Sequence, residues 1–430
     1  MTAGARALGM TAPDYAHGSV LMSLWFLAVL VAATVLVGAV FVALCIRPAR
    51  RHLHLRGARG VTAAVTAGVL TLALAVTTVA DGINRHFAYI PSFSALAGHY
   101  SRDMIGTSNV SKLMRIAYSG GGLPLHGVVV RVQLSGPRSG ISRRGYVYLP
   151  RAYFDPSERH RRFPVLYMLH GSPGIAADWL RGGFIDRAMD DLLAHHAITP
   201  FIVVLPDVNG GYRHDTECQD IVGGPQVQTY LTTDVTSWID RHYRTIDSPN
   251  ERAIGGMSTG GYCALNLMLR HQDEFSAAIV HSGSLGPIES RYSGSLWGGS
   301  TSLRAANTPA DYVSHLFIGR PLAVYCDAGT SDQSSVETCR KARALLAPRA
   351  VPVTVHVFSH QGHDYVAWRK DLYVSLPWVS RWFVAHGAPA PSAPPRSPPG
   401  ELRPESPDPA ERHFTRLATR GPERRARRAT

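Results

Sequence analysis

The chain has 430 residues, of which 45% are hydrophobic and 17% are charged, so it can fold around a large core and is not a disordered protein. Its formal net charge is +13, but five arginines without an acid lie within residues 47–59, and nine arginines against five acids lie in the last 45 residues. Because the charge is concentrated in these two segments, composition argues against nucleic acid as a partner.

Two apolar runs near the start of the chain predict transmembrane helices. Residues 19–46 and residues 61–80 contain no charged side chain, and about 20 apolar residues suffice to cross the hydrocarbon core of a bilayer. A signal peptide would have a more basic start and a shorter apolar core of about 7–15 residues. A buried hairpin in a soluble protein is the other alternative. We expect a membrane hairpin over residues 1–83.

The arginine-rich segment between the two runs predicts the orientation of this hairpin. Short loops rich in arginine and lysine stay in the cytoplasm, so residues 47–60 should form a cytoplasmic loop. The chain from about residue 84 onward should then be extracytoplasmic, in a multi-pass protein of the cell membrane. Phe87, Tyr89 and Phe93 would lie just beyond the second helix, at the interface where aromatic residues are enriched.

The remaining chain divides by composition into a linker, a domain large enough to be an enzyme, and a tail. After a linker over residues 84–123, residues 124–386 alternate between buried strand patterns such as FPVLYMLHG and helical patterns such as GGFIDRAMDDLLAHH. This alternation predicts the α/β class, with a mostly parallel sheet covered by helices on both faces. Residues 387–430 are rich in proline and poor in apolar residues, so we expect a disordered tail.

One serine lies at a strand-to-helix junction of this predicted sheet. Gly256-Met257-Ser258-Thr259-Gly260 fits the pattern G-x-S-x-G. In such an elbow the flanking Gly256 and Gly260 let the chain turn sharply and expose the serine hydroxyl above the sheet. Ser258 is therefore the candidate nucleophile.

A serine nucleophile needs a base, and the base needs an acid that orients it. In this kind of sheet the chain order is serine, acid, histidine, with each partner after a later strand. Asp327 and Asp332 follow one predicted strand, and we favour Asp332 because it lies further out on the loop. His360 and His363 follow the next strand, and His363 is favoured because it follows a glycine on a loop.

Acyl transfer also requires hydrogen-bond donors that stabilise the oxyanion. Two backbone N–H groups supply them in this arrangement, one after the nucleophile and one from the loop after the third strand. We expect these donors to be Thr259 and Ser172, and Gly171 and Gly174 would let the second loop approach the substrate. The chemistry requires neither a cofactor nor a metal ion.

Four of the five cysteines lie in the predicted outer domain, where an oxidising compartment permits disulfides. Cys218, Cys263, Cys326 and Cys339 allow three connectivities, which the sequence leaves open. Cys263 follows Ser258 by five residues on a helix, where we expect a small buried thiol. Cys45 lies in the first apolar run.

A few further polar residues are weaker candidates. Asp215, Glu217 and Asp220 in the stretch RHDTECQD follow a buried strand and are candidates for lining the substrate cleft. Their spacing fits no zinc or calcium loop. Asp178 and Trp179 are expected to serve packing and turn formation.

Several segments together resemble a known family. VLYMLHGSPG, TYLTTDV, IGGMSTGGYCALNL and GHDYVAW are similar to the serine esterases of the esterase D and feruloyl esterase group, whose relatives include the antigen-85-type mycolyltransferases. The resemblance covers roughly residues 124–385. It implies an α/β-hydrolase fold and the triad Ser258, Asp332 and His363, and it allows either hydrolysis or transfer of an acyl group.

Comparison with the mycolyltransferases implies further residues of the substrate cleft. Those enzymes carry a sugar-binding aspartate where this chain has His170, and a glutamate where its loop offers Asp332, so trehalose is disfavoured as an acceptor. Tyr365 and Trp368 fall where those enzymes carry aromatic residues beside the histidine, which is compatible with a long acyl chain.

Taken together, the sequence predicts a membrane-anchored extracytoplasmic serine esterase that acts through an acyl-enzyme. Acyl transfer to a cell-envelope acceptor is the first alternative, and a binding module that keeps a silent triad is the second. The expected partners are an ester substrate, which could be a lipid or another envelope component, and the membrane lipids around two helices. The sequence leaves the acyl length, the alcohol and the oligomeric state open.

Overall fold

The computed structural model describes residues 19–46, 58–97, 101 and 104–391. Most of the arginine-rich segment, residues 47–57, lies outside the described residues, as does the tail from residue 392. The predictions made for a cytoplasmic loop and for a disordered tail therefore stay predictions.

Two long apolar helices form an N-terminal hairpin, α1 over Leu24–Ile46 and α2 over Ala58–Phe87. The helices pack along each other, and the hydroxyl oxygens of Thr34 and Thr78 are 3.2 Å apart between them. Valine and leucine side chains on their outer surfaces are exposed, and α1 has no buried residue. This exposure is incompatible with a core hairpin of a soluble domain. Both helices are long and apolar enough to be candidate membrane spans.

A nine-stranded sheet follows in the described chain, and two of its neighbouring strand pairs are antiparallel. Strands β2 and β3 pair in antiparallel fashion, as do β3 and β5, and every other neighbouring pair is parallel. The strand order is β1-β2-β3-β5-β4-β6-β7-β8-β9. The strands are β1 Met104–Gly106, β2 Val128–Ser135, β3 Ser142–Leu149, β4 Val165–Leu169, β5 Ile202–Pro206, β6 Arg252–Met257, β7 Ala277–His281, β8 Ala323–Gly329 and β9 Val353–Phe358.

The helices after the hairpin connect these strands. A short helix α3, Phe93–Leu96, comes first, and a π-helical segment, Tyr230–Val235, lies between α7 and α8. The others are α4 Thr107–Tyr118, α5 Asp178–Arg181, α6 Ile185–Ala194, α7 Val227–Thr229, α8 Thr236–His242, α9 Thr259–Arg270, α10 Thr301–Ala305, α11 Pro309–Tyr312, α12 Gln333–Leu346 and α13 Tyr365–Ala385. Single-turn 3-10 helices lie at Val20–Met22, Arg151–Phe154, Pro156–Glu158, Pro249–Glu251, Val313–His315 and Ala347–Arg349.

The core has two layers, one on each face of the sheet. Helices α9 and α12 contribute to one cluster of buried side chains, and helices α6 and α13 contribute to the other. The central strands β4 and β6 are buried along their whole length, which explains why they appear in the sequence as continuous apolar runs rather than alternating ones. Helices on both faces of a mostly parallel sheet are the predicted architecture.

The segment that the sequence indicates as a linker is partly structured. Strand β1 pairs in parallel with β2, and α4 follows it directly. The strand is only three residues long, too short for an alternating pattern to be recognisable in the sequence.

Two disulfides link the four cysteines of the domain, Cys218 with Cys263 and Cys326 with Cys339. The expectation that Cys263 is a free buried thiol is therefore wrong. Cys218 lies 45 residues earlier in the chain, and only the packing of its loop against α9 brings the two sulfur atoms together.

Candidate active site

Ser258 lies on the sharp turn between β6 and α9. Its backbone has φ 55° and ψ −122°, a conformation that non-glycine residues adopt only when the surrounding structure holds them there. Its N–H donates a hydrogen bond of 2.8 Å to the carbonyl oxygen of His281, the last residue of the neighbouring strand β7. The turn thereby presents the hydroxyl at the carboxyl edge of the sheet, where ligands of open α/β sheets bind.

The two glycines of the elbow are required by close packing. A Cβ atom on Gly256 would lie 2.3 Å from the carbonyl carbon of Gly260, and one on Gly260 would lie 2.5 Å from the carbonyl oxygen of Leu169. Either clash would push the helix away from the strand. Both positions match the role predicted from the motif.

The three residues of the predicted triad form one hydrogen-bonded chain. His363 Nε2 lies 3.0 Å from Ser258 Oγ, and His363 Nδ1 lies 2.7 Å from Asp332 Oδ2. His363 is supplied by the loop between β9 and α13, and its side chain is 41% exposed. The base can therefore reach both the serine and an incoming water molecule.

Asp332 is held as a carboxylate by its surroundings. Burial acts to raise the pKa of its carboxyl, but hydrogen bonds from His363 and two serines outweigh burial and hold the pKa well below its usual range. Its Oδ1 atom accepts hydrogen bonds from the Ser334 hydroxyl and from the Ser335 N–H at the start of α12. A fixed negative charge beside Nδ1 favours the tautomer in which Nε2 can accept the serine proton.

Asp327, the alternative acid, lies elsewhere. Its carboxylate is fully buried and contacts His281 Nδ1 at 2.8 Å. His281, Asp327 and Asp371 are, within the described ranges, the one group of three side chains placed closely enough to hold a metal ion. The His281 ring already contacts Asp327, and Ser375 Oγ lies 3.4 Å from its Nε2 atom. This buried network lies directly beneath the elbow and supports its backbone.

Backbone donors flank the serine hydroxyl on two sides. Thr259 is the first residue of α9, and N–H groups in a first helical turn have no partner within the helix. On the other side the loop after β4 passes close by, since a Cβ atom on Gly171 would lie 3.2 Å from Ser258 Cβ. Ser172 lines the same cavity as Ser258. The structure thus places Thr259 next to the serine and Ser172 on the wall of the same cavity.

The serine and histidine open into a cavity of about 460 Å³. Tyr365 and Trp368 line it, as predicted, and the Trp368 ring packs edge to face against His363 at 5.2 Å between centroids. Ala80, Ile83, Asn84 and Phe87 of helix α2 also line it. No pattern in the sequence indicates that the hairpin takes part in this cavity.

The loop after α2 is bound to the domain next to the cavity. The Tyr89 hydroxyl donates a hydrogen bond of 2.7 Å to Asp178 Oδ1, and the Tyr89 ring lies 5.1 Å from that of Tyr365. Burial and the Asp178 charge raise the pKa of the Tyr89 hydroxyl, so it remains a donor at neutral pH. Asp178, expected to be a packing residue, also lines the cavity.

Two predictions about the cleft are wrong. His170 is fully buried and is not among the cavity-lining residues, because its Nε2 atom accepts a hydrogen bond of 3.0 Å from the Val208 N–H. The acidic stretch turns inward in the same way. Asp215 accepts from the Ser290 hydroxyl, Asp220 contacts Thr229, and Glu217 accepts from the Ile288 N–H.

Comparison with known proteins places this site in a family. The Esterase family profile matches residues 137–379, which include the elbow and the loops of Asp332 and His363. The chain belongs to the Esterase family. It has the α/β-hydrolase fold, as the resemblance to the esterase D and feruloyl esterase group predicted.

Individual relatives match parts of this chain. An uncharacterized protein of Corynebacterium glutamicum is 29% identical over 272 residues, which are 59% of this chain and 62% of that protein. An esterase of Mycobacterium tuberculosis is 31% identical over 123 residues, which are 29% of this chain and 26% of that protein. The chain therefore spans about three fifths of the first relative's length and about a quarter of the second's.

Solved structures show the same fold. A ferulic acid esterase, 27% identical, covers 60% of this chain with 100% of its own length at a TM-score of 0.52. An S-formylglutathione hydrolase of Agrobacterium tumefaciens is 18% identical, covers 61% of this chain with 98% of its own length, and has a TM-score of 0.50. At that identity the second likeness concerns the fold alone.

Proposed function

We propose that this esterase is anchored in the membrane and hydrolyses carboxylic esters outside the cytoplasm, with Ser258 as nucleophile, His363 as base and Asp332 as orienting acid. The observation that carries the proposal is the unbroken hydrogen-bonded chain from Asp332 through His363 to Ser258 at the edge of an apolar cavity.

The first half-reaction forms an acyl-enzyme. Ser258 Oγ attacks the ester carbonyl carbon while its proton passes to His363 Nε2. The carbonyl oxygen becomes an oxyanion, which the backbone N–H groups of Ser172 and Thr259 stabilise. When the tetrahedral intermediate collapses, the bond to the alcohol oxygen breaks and His363 gives its proton to the leaving alcohol.

The second half-reaction releases the acid. Water approaches the exposed side of His363, which takes one proton while the hydroxide oxygen attacks the acyl carbon. Collapse of this intermediate breaks the bond to Ser258 Oγ, and the proton returns from His363 to the serine. The products are a carboxylic acid and an alcohol, and the enzyme is restored.

Three features support anchoring and an extracytoplasmic domain. The hairpin α1–α2 exposes apolar side chains along lengths that suffice to cross a bilayer. The segment between the helices contains five arginines and no acid, which favours a cytoplasmic position for it. The domain contains two disulfides, which persist in oxidising compartments.

The activity is tested with the full chain purified in detergent and assayed on p-nitrophenyl acetate. Ser258→Ala should lower kcat by at least about 10³-fold, since the covalent step is lost. Equal activity of parent and variant would refute the proposed nucleophile. Adding an alcohol as acceptor distinguishes the alternative, because a transferase would form the new ester at the expense of the free acid.

The orientation is tested separately in intact cells. A membrane-impermeant maleimide should label a cysteine introduced at Leu303, an exposed position of the domain, and should not label one introduced at position 54 in the loop. Labelling of position 54 alone would place the domain in the cytoplasm and overturn this part of the proposal.

A further inference from the structure

We propose that helix α2 forms one wall of the acyl-binding site, so that the substrate of this esterase is an ester whose long acyl chain resides in the membrane. This inference rests on the proposed function, since it assigns a substrate class to the same serine. It also makes the membrane hairpin a part of the active site in addition to being an anchor.

The first support is the face that α2 presents to the cavity. Ala80, Ile83, Asn84 and Phe87 line it, and their spacing of i, i+3, i+4 and i+7 places them on one side of a helix. Three of the four are apolar. Ser258 and His363 line the same cavity, so an acyl chain bound to the serine would lie against the helix.

The second support is the depth of this face in the membrane. The uncharged run of residues 61–80 is about 30 Å long as a helix, which equals the hydrocarbon thickness of a bilayer. Ile83 and Phe87 lie within the next two turns, beyond the first acidic side chain of α2, Asp81. The cavity therefore lies at the interface, which is where the ester groups of lipids lie.

The third support is an opening on the lipid side. Ile83 and Phe87 line the cavity although 57% and 42% of their surfaces are exposed. Much of the surface of these two side chains is therefore left uncovered by the rest of the described chain. Trp25 at the outer end of α1 is 83% exposed, and Phe26 packs edge to face on Phe93 at 5.6 Å. Aromatic residues in such a position anchor a protein at the membrane interface.

The fourth support is that the end of α2 is fixed to the catalytic domain. Tyr89 donates to Asp178, and Arg369 of α13 donates to the carbonyl oxygen of Ala88 at 3.3 Å. At the same end, Arg85 donates to the Ser23 carbonyl oxygen before α1. A wall held by these contacts keeps its distance from the serine, so it can select substrates by chain length.

The expected selectivity follows from burial of the chain. Each methylene group that leaves water gains about 0.8 kcal/mol, and about 1.4 kcal/mol corresponds to a tenfold effect. Displacing two methylene groups of the acyl chain from the cavity should therefore lower kcat/KM for a long-chain ester by about tenfold. We expect esters with a two-carbon acyl group to be insensitive to the side chains of α2, because only one carbon follows their carbonyl group.

The test compares two esters on the full chain in phosphatidylcholine nanodiscs. The assays use p-nitrophenyl dodecanoate and p-nitrophenyl acetate with the parent, Ile83→Trp, Ile83→Ala and Ser258→Ala. For each protein, kcat/KM on the dodecanoate is divided by kcat/KM on the acetate. Val79→Trp is the matched control, because Val79 lies one turn away on the exposed surface of α2 and outside the cavity lining. Using one kind of nanodisc keeps partitioning of the long ester equal among variants.

We expect Ile83→Trp to lower the ratio by about tenfold or more, Ile83→Ala to lower it less, and Val79→Trp to leave it within about twofold. An unchanged ratio in both Ile83 variants, with hydrolysis still dependent on Ser258, overturns this inference and leaves the proposed function standing. An equal loss on both esters also overturns it. Hydrolysis that survives in Ser258→Ala refutes the proposed function itself.

Discussion

The Tyr89 hydroxyl donates a 2.7 Å hydrogen bond to Asp178 Oδ1 across the junction between the apolar hairpin and the esterase domain. Tyr89 lies two residues beyond the end of α2, and Asp178 begins α5 beside the loop of Ser172. Both side chains line the cavity that contains Ser258. This contact, together with that of Arg369 with the Ala88 carbonyl oxygen, connects the apolar hairpin with the domain that contains Ser258.

Replacing Tyr89 by phenylalanine should destabilise the protein. Asp178 is buried, and burial raises the pKa of its carboxyl, so loss of one donor leaves it poorly solvated. A hydrogen bond to a charged group contributes about 1.5–3 kcal/mol. We expect the melting temperature of Tyr89→Phe in detergent to fall by several degrees. The control is Tyr118→Phe on the exposed end of α4, and an equal fall there would show that the Asp178 contact is not responsible.

Asp332→Asn should lower kcat strongly without unfolding the domain. The amide removes the charge that holds His363 in the productive tautomer, and such a change costs about 10⁴-fold in a comparable triad. Hydrolysis of p-nitrophenyl acetate by the full chain measures it.

Asp364→Asn is the matched control for this prediction. Asp364 is adjacent to His363 but caps α13 by accepting from the Val366 and Ala367 N–H groups, and asparagine caps helices equally well. Its kcat should stay within a few-fold of the parent. A loss of equal size in both variants would mean that any negative charge near His363, rather than the specific contact with Asp332, is responsible for its activity as a base.

The buried carboxyl of Glu217 should make the free energy of unfolding depend on pH. Burial and the neighbouring Asp215 raise the pKa of Glu217 to about 9, whereas in the unfolded chain it is near 4.3. Between these two pKa values the folded state binds one more proton than the unfolded state. The contribution of Glu217 to the free energy of unfolding is therefore fully present below the unfolded pKa and is lost as the pH rises towards 9. The slope for one proton is about 1.4 kcal/mol per pH unit.

Glu217→Gln should remove this dependence. Its amide oxygen can still accept from the Ile288 N–H, which now contacts Glu217 at 3.2 Å. We expect the variant to melt at a higher temperature than the parent, by a margin that grows from pH 5 to pH 9. Glu337→Gln, at an exposed ion pair with Lys341, should show no such trend. A margin independent of pH for Glu217→Gln would contradict the assigned burial.

The two disulfides should differ in their contribution to stability. Loop-closure entropy predicts about 4 kcal/mol for Cys218–Cys263 and about 3 kcal/mol for Cys326–Cys339, since their sequence separations are 45 and 13. All four side chains are fully buried, so the two double alanine variants create similar cavities. The Cys218→Ala/Cys263→Ala variant should have the lower melting temperature. The reverse order would show that local packing outweighs the entropy of the unfolded chain.

The elements that the sequence predicts well are those with local signals. The runs around Val165–Leu169 and Ile202–Pro206 are continuous because their strands are buried on both faces. The elbow is recognisable because its motif G-x-S-x-G is contiguous, and a Cβ atom on Gly256 would clash with Gly260 in the same turn. Both kinds of signal lie within a few residues of the chain.

The features that the sequence missed depend on distant packing. Histidine is a common residue type in active sites, but the ring of His170 accepts a hydrogen bond from a backbone N–H of the next loop and is held inside the protein. The face of α2 at Ile83 carries no signal of a cavity, because only the docking of the helix against the domain determines which of its faces lines one. The pairing of Cys218 with Cys263 depends in the same way on the packing of one loop against α9.

The central claim is that Ser258 is the nucleophile, and covalent labelling tests it most directly. The full chain in detergent is treated with a fluorophosphonate, digested, and analysed by mass spectrometry to locate the phosphonate adduct. Ser282→Ala serves as control, since Ser282 follows the neighbouring strand β7 and also has a positive φ, of 48°. The account predicts an adduct on Ser258 in the parent and in the control, and none in Ser258→Ala. An adduct on another serine, or labelling that persists in Ser258→Ala, would contradict it.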